Sequence, residues 1–190
     1  WLTYSRGKRA DLSNLDLTGL DLNKVTLNYA NCENAIFYGA NCRGAHFFRA
    51  NCKNANFYGA DCRNADFYGA DFENANCENA NFYRAGLNKA NFYGADFENA
   101  ILEIASCRNA NFIDANFIDT NCKDANFTGA DCRNADFKYA NLNNTIFRNA
   151  DCEGANFYGA NFYGASFYRA NCQNANFQGA NLVMLDGRGN

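Results

Sequence analysis

One rule runs through this chain in steps of five with no insertion: the residue two places after every multiple of five, from Leu12 to Leu182, is Leu, Phe or Cys. Neither an α-helix, which repeats near 3.6 residues, nor a flat strand, which repeats at 2, can hold such a pattern on one side. The chain must coil into a tube of short stacked repeats. Its 190 residues, 48% hydrophobic and without Pro, suit one folded domain rather than a linker or a disordered segment.

The unit has a fixed grammar. Of the 31 residues at multiples of five from 30 to 180, 29 are Ala, the exceptions being Thr120 and Thr145. The next place is usually Asn or Asp (Asn31, Asn41, Asp61, Asp71), then comes the large centre (Cys32, Phe37, Cys42, Phe47), then two variable, mostly polar residues. This pattern is similar to the pentapeptide-repeat family, whose consensus is Ala, Asp or Asn, Leu or Phe, and two variable residues. The resemblance covers about nine-tenths of the chain. It implies an all-β fold, a right-handed parallel β-helix in which four pentapeptides make one square coil, with the centre and the small residue inward. About nine coils, stacked at the ~4.8 Å strand spacing, would give a rod roughly 40 Å long. The expected boundaries are a lead-in or cap over 1–9, the β-helix over 10–184 and a tail over 185–190.

The interior places agree with a narrow tube. Seventeen of the 18 Phe and all ten Cys are centres, and no four consecutive centres are all Phe, as expected if four centres share one close-packed layer. Cys then acts as a small hydrophobe that makes room for Phe: in the layer Cys32, Phe37, Cys42, Phe47, small faces small and large faces large. Near the N-terminus Leu15, Leu20 and Val25 replace Ala and the centres are Leu12, Leu17, Leu22 and Leu27, so aliphatic packing is expected there, with Trp1, Leu2 and Tyr4 as lids. At the other end the rule lapses into Val183, Met184 and Leu185, an end open to pairing with another chain.

The ten Cys read as buried free thiols. Residues twenty apart, such as Cys32 with Cys52, stack at a separation a disulfide tolerates but not in its ~90° torsion. Cys32, Cys42, Cys52 and Cys62 lack the close pairing of ordinary zinc sites, so no metal and no cofactor are expected. The single His, His46, occupies a surface place normally held by Asn or Asp and has no catalytic dyad around it. Catalytic residues are not expected, and the chain reads as a non-enzyme.

Charge is the one surface feature above the background of the repeat. With pentads assigned to four faces in rotation, the face holding 45–49, 65–69 and every twentieth residue onward carries nine Lys or Arg and two acids. It includes Arg6, Lys8, Arg9, Arg49, Lys89, Arg108, Arg148, Arg169 and Arg188, interleaved with Phe48, Tyr68 and Tyr168. The face with Asp11, Glu33, Asp71, Glu73, Asp114, Asp131, Asp151 and Glu153 has eight acids and two bases, and the next, with Asp16, Glu78, Asp96, Glu98, Asp119 and Asp136, has six and one. Ladder pairs such as Glu33, Lys53 and Glu73, or Arg133 and Glu153, are expected between coils, each worth under ~1 kcal/mol.

These features point to a rod that presents charged flat faces to a protein partner. The candidate contacts are an acidic strip, Asp71, Glu73, Glu78, Asp96 and Glu98, and a basic aromatic face, Arg49, Tyr68, Lys89, Arg108, Arg148, Tyr168 and Arg169. An acidic rod can imitate duplex DNA, as family members that protect type II topoisomerases do, so the resemblance implies a topoisomerase such as DNA gyrase as an alternative partner. A homodimer or an end-to-end filament is a third arrangement. The formal charge of −3 argues against direct nucleic-acid binding. No stretch reaches the roughly 18 apolar residues of a membrane span, and no secretory signal is evident, so the expected location is the cytoplasm. Because the chain starts at Trp1 rather than Met, a processed or neighbouring segment is compatible with it.

Overall fold

The computed structural model describes residues 9–181, and the expectations for Trp1, Leu2, Tyr4, Arg6, Lys8, Val183, Met184, Leu185 and Arg188 lie outside them. Parallel bridges join residues twenty apart without a gap, from Asp11↔Asn31 to Asn161↔Asn181, so four pentads close each coil. The bonding alternates direction: Leu12 N–H donates to Asn31 O at 2.7 Å, and Asn31 N–H returns to Ala10 O at 2.8 Å. The four faces are named here by their place in the coil. The first holds 10–14, the second 15–19, the third 20–24 and the fourth 25–29, each with every twentieth residue onward.

Every corner is a β-turn closed by a bond such as Leu15 N–H to Leu12 O at 3.1 Å. All 34 described residues two places after a centre have positive φ, while the residue before has none, which is the type II arrangement. Eleven of these are Gly, twelve Asn and three Asp, the residues that tolerate this region. The two variable places are therefore constrained by backbone as well as by solvent. Ile104, at φ 61°, is a β-branched exception.

The Asn or Asp before the centre shapes its own turn and, in columns such as Asp71–Asn91–Asn111, also links coils. Its Oδ1 accepts from the N–H two residues on, as in Tyr58 N to Asn56 Oδ1 at 2.9 Å, and shapes the turn. In such columns its side chain bonds its counterpart in the next coil, as in Asn91 Nδ2 to Asp71 Oδ1 and Asn111 Nδ2 to Asn91 Oδ1, both at 2.8 Å.

Inside, the Ala residues and centres are fully buried through the middle coils. Phe rings stack vertically at close to the strand spacing, 4.4 Å for Phe37–Phe57 and 4.5 Å for Phe117–Phe137. They meet edge to face across the tube, 5.8 Å for both Phe37–Phe47 and Phe137–Phe147. These contacts place the second face directly opposite the fourth. In coil 70–89 the large pair makes a quarter turn: Phe72 and Phe82 fill the first and third faces, while Cys77 and Leu87 take the other two. By coil 130–149 the Phe pair, Phe137 and Phe147, is back on the second and fourth. Cys thus marks where a ring is displaced, as anticipated. Thr120 and Thr145 replace Ala because their hydroxyls donate 2.8 Å bonds to Phe97 O and Cys122 O.

The first coil departs from expectation. Leu15 and Leu20, expected among the packed aliphatics, are each 46% exposed, although the centres Leu12, Leu17, Leu22 and Leu27 are buried. A site that fits a methyl group between coils does not admit an isobutyl group, so the Leu side chains turn outward.

Candidate interaction faces

The four faces differ in what their charges do. On the first, Lys53 Nζ lies 2.7 Å from Glu73 and 3.4 Å from Asp71, and these two carboxylates, Glu73 first, raise its pKa. Arg133 grips Asp131 with two bonds of 2.8 and 2.7 Å and reaches Asp151 at 3.9 Å. Of the expected ladder pairs, Lys53 meets Glu73, together with Asp71, but not Glu33, and Arg133 takes Asp131 and Asp151 instead of Glu153. Both cations reach across the centre to an Asp at the place before it, Asp71 for Lys53 and Asp131 and Asp151 for Arg133. The third face behaves alike: Arg63 chelates Asp61, with Arg43 at 4.0 Å, and Lys123 sits 3.9 Å from both Glu103 and Asp124. Asp61 is partly buried, which opposes ionisation, but the bonds from Arg63 prevail and lower its pKa.

The second and fourth faces contain no ion pair among the described residues. On the fourth, cations rest on rings instead. Tyr29, Phe48 and Tyr68 form a column with centroids 5.3 and 5.5 Å apart. Arg9 lies over Tyr29, Arg49 over Phe48 and Lys89 over Tyr68, at 5.7, 5.3 and 5.5 Å. Further along, Arg148 and Arg169 both cover Tyr168, at 5.2 and 5.1 Å. Such contacts hold the cations in place without cancelling their charge. Arg108 and Arg148 flank a shallow depression lined by Asn126, Thr128, Ile146 and Ser166. On the second face Glu78, Asp96, Glu98, Asp119 and Asp136 have no cationic partner, while Lys138 packs over Tyr139 and Tyr158 at 5.0 and 5.9 Å and Tyr38 stacks on Tyr58 at 5.2 Å.

The sequence-predicted residues are therefore sorted by the structure. Arg49, Tyr68, Lys89, Arg108, Arg148, Tyr168 and Arg169 share one face. The acidic strip divides: Glu78, Asp96 and Glu98 lie unpaired on the second face, while Asp71 and Glu73 lie on the first, bound by Lys53. Tyr29 belongs to the aromatic column and was legible, since it stands 19 residues before Phe48 as Phe48 stands 20 before Tyr68. His46 is exposed. All ten thiols are free, and among the described residues no cluster of His, Cys, Asp and Glu is arranged to hold a metal. Burial pushes up the thiol pKa values of Cys52, Cys62, Cys77, Cys107 and Cys122. Among the described residues no helix is long and apolar enough to cross a membrane.

Comparison with known proteins adds the following. No curated protein matches the chain significantly. Among solved structures, a trypsin-treated form of QnrB1, a plasmid-mediated fluoroquinolone resistance protein, is 18% identical with a TM-score of 0.54, over 96% of this chain and 88% of that one. HetL, a pentapeptide repeat protein involved in heterocyst differentiation regulation in Nostoc sp. strain PCC 7120, is 24% identical with a TM-score of 0.40, over 96% and 90% of the two chains. A pentapeptide repeat protein from the Arabidopsis thaliana thylakoid lumen is 25% identical with a TM-score of 0.20, over 73% and 74%. The likeness to QnrB1 supports the fold. The family description "Pentapeptide repeats" matches in 8 copies between residue 8 and residue 182, including 8–41, 65–103, 105–144 and 145–182. With nearly its whole length built from that repeat, the chain belongs to the pentapeptide-repeat family.

Proposed function

We propose that this protein is a non-enzymatic scaffold, a rod that offers flat charged faces to a protein partner. The observation that carries this reading is the contrast between faces: every ion pair among the described residues lies on the first or the third face, while the second and fourth, opposite each other, hold none. A solubilising surface has no reason to segregate in this way. Cations held on rings keep little freedom to lose on docking, so a contact with a carboxylate-bearing surface is less opposed by side-chain entropy.

Capture from cell extract tests this with three baits: the wild type, a fourth-face variant (Arg49→Gln, Lys89→Gln, Arg169→Gln) and a second-face variant (Glu78→Gln, Glu98→Gln). The expected result is a near-stoichiometric protein whose recovery falls on at least one of the variant baits. Identical recoveries on all three baits would remove the faces from any role in binding.

A second reading, mimicry of duplex DNA toward a type II topoisomerase, is favoured by one observation, the unpaired row Glu78, Asp96 and Glu98. It predicts that the wild type inhibits gyrase supercoiling and that neutralising those three residues relieves the inhibition. Neutralising Asp71 and Glu73, which Lys53 already holds, should matter less. A supercoiling reaction indifferent to the wild-type rod would end this reading.

A further inference from the structure

We propose that the partner of these faces is a second copy of this chain, docked side by side in register, with the fourth face of one rod on the second face of the next. This rests on the scaffold reading above and names its partner. Three features of the structure lead to it.

The first is placement. The second and fourth faces lie opposite each other across one coil, and they carry unpaired charge of opposite sign. A copy displaced sideways, without rotation, therefore brings a basic face against an acidic one at the same height along the rod.

The second is register. Opposite sides of a square coil run in opposite directions, so the residue after the centre on the fourth face meets the residue before the centre on the second. In coil 90–109 this sets Arg108 against Asp96 of the second copy, and two coils further on, in coil 130–149, it sets Arg148 against Asp136. The intervening coil pairs Thr128 with Asn116, two hydrogen-bonding side chains. In coil 30–49 the same rule sets Phe48 against Ile36, an apolar side chain 37% exposed. In no coil from 10–29 to 150–169 do two like charges meet at these flanking places. An unrelated partner would give no reason for that match.

The third is availability. In Asp96 and Asp136 the Oδ1 atoms are used within the rod, by Glu98 N and Asn116 Nδ2 at 3.0 Å and by Lys138 N and Asn156 Nδ2 at 3.0 and 2.9 Å. No described hydrogen bond uses either Oδ2. Arg108 and Arg148 are exposed, and among the described residues neither guanidinium pairs with a carboxylate of its own rod. The carboxylates are already oriented by the fold, and a guanidinium can meet the remaining oxygen.

Because the contact joins two different faces it does not close on itself. Each rod keeps a free basic face on one side and a free acidic face on the other, and rods add in a row. The association is electrostatic at its rim and must weaken with salt.

Sedimentation equilibrium decides the matter with four samples, each checked for the wild-type circular dichroism spectrum. They are the wild type, an acid-faced variant (Arg108→Glu, Arg148→Glu), a base-faced variant (Asp96→Arg, Asp136→Arg) and the two variants mixed in equal amounts. In about 20 mM salt the wild-type average mass should rise with concentration past twice that of the chain without a plateau, and about 0.5 M salt should return it to one chain. Each variant alone should stay at one chain, because its two faces now repel their own kind. The mixture should regain the wild-type mass, since every contact between unlike variants is again one Arg against one carboxylate. A wild type that stays at one chain at low salt overturns the proposal while leaving the scaffold reading to the capture experiment. Oligomers that survive in both variants overturn it too, because another surface would then be joining the rods.

Discussion

Coils 10–29 and 50–69 share one backbone and differ in one packing decision. Both are bridged to the next coil at every face, both turn through positive φ (60° at Asn14, 54° at Asn54), and both close their turns with a 3.1 Å bond, Leu15 N to Leu12 O and Ala55 N to Cys52 O. Yet the small place holds Leu15 and Leu20, each 46% exposed, in the first coil, and Ala55 and Ala60, fully buried, in the second. The backbone does not demand Ala. Ala is demanded where a coil packs on both sides, as at Ala55 and Ala60, whose coil is bridged to coil 30–49 and to coil 70–89. The repeat is thus a packing rule imposed on a backbone that turn chemistry and Asn ladders already define.

The largest effect that separates the two coils should come from thiols, which occur only from Cys32 onward. Burial raises the pKa of Cys52 and Cys62 well above that of a free thiol, and Cys77, Cys107 and Cys122 are shifted the same way. A thiol in the unfolded chain loses its proton as pH passes about 8.5, while the folded one keeps it, so the unfolded state binds fewer protons there. The slope of stability against pH is then negative, and each thiol contributes about 1.4 kcal/mol per pH unit above that point. Thermal melts should show little change from about pH 7 to 8 and a steep fall above about pH 9. Cys52→Ala with Cys62→Ala should start lower, from lost packing, and fall less steeply. Equal slopes would mean that these thiols titrate in the folded rod.

The next effect is steric. Ala55→Leu puts three extra carbons where coils meet on both sides and should cost about 1–3 kcal/mol or more in chemical unfolding. The reciprocal Leu15→Ala, at a half-exposed side chain, should stay within about 0.5 kcal/mol. If Ala55→Leu is as mild as Leu15→Ala, the interior is looser than the stacked rings indicate.

The sequence disclosed the interior more completely than the surface, for a physical reason. Centres and small places obey one steric rule, so the burial of Phe37 or Ala55 followed from the period, and the facing of Phe37 and Phe47 from the period together with the four-pentad coil that the family resemblance implies. The pairing of charges did not. Whether Lys53 turns to Glu33, Glu73 or Asp71 depends on a few ångströms of side-chain reach, and the acidic strip grouped Asp71 and Glu73 with Glu78 and Glu98 although Lys53 already occupies the first two. Nor did counting reveal that the second and fourth faces are the ones left unpaired. The positive φ of the last variable place was visible in its Asn and Gly content, and only the residues that break that preference, such as Ile104, required coordinates.

Ile104 gives the finest test of whether all coils share one backbone. Its φ of 61° matches the 54° of Asn54 and the 55° of Asn144, so it adopts the left-handed turn despite a branched Cβ. That conformation costs an ordinary residue about 1–2 kcal/mol, and Asn, whose short side chain bonds locally, pays less. At 40% exposure Ile104 recovers little from burial. In the coil above, Asp124 accepts from Asn144 Nδ2 at 2.9 Å, so an Asn at 104 would lie beneath an existing ladder and could extend it. Ile104→Asn should therefore raise the urea midpoint, with the dependence on urea unchanged, by an amount equivalent to about 1 kcal/mol. A lowered midpoint would mean that the Ile side chain stabilises its coil by more than its turn costs, and that the corners are not interchangeable after all.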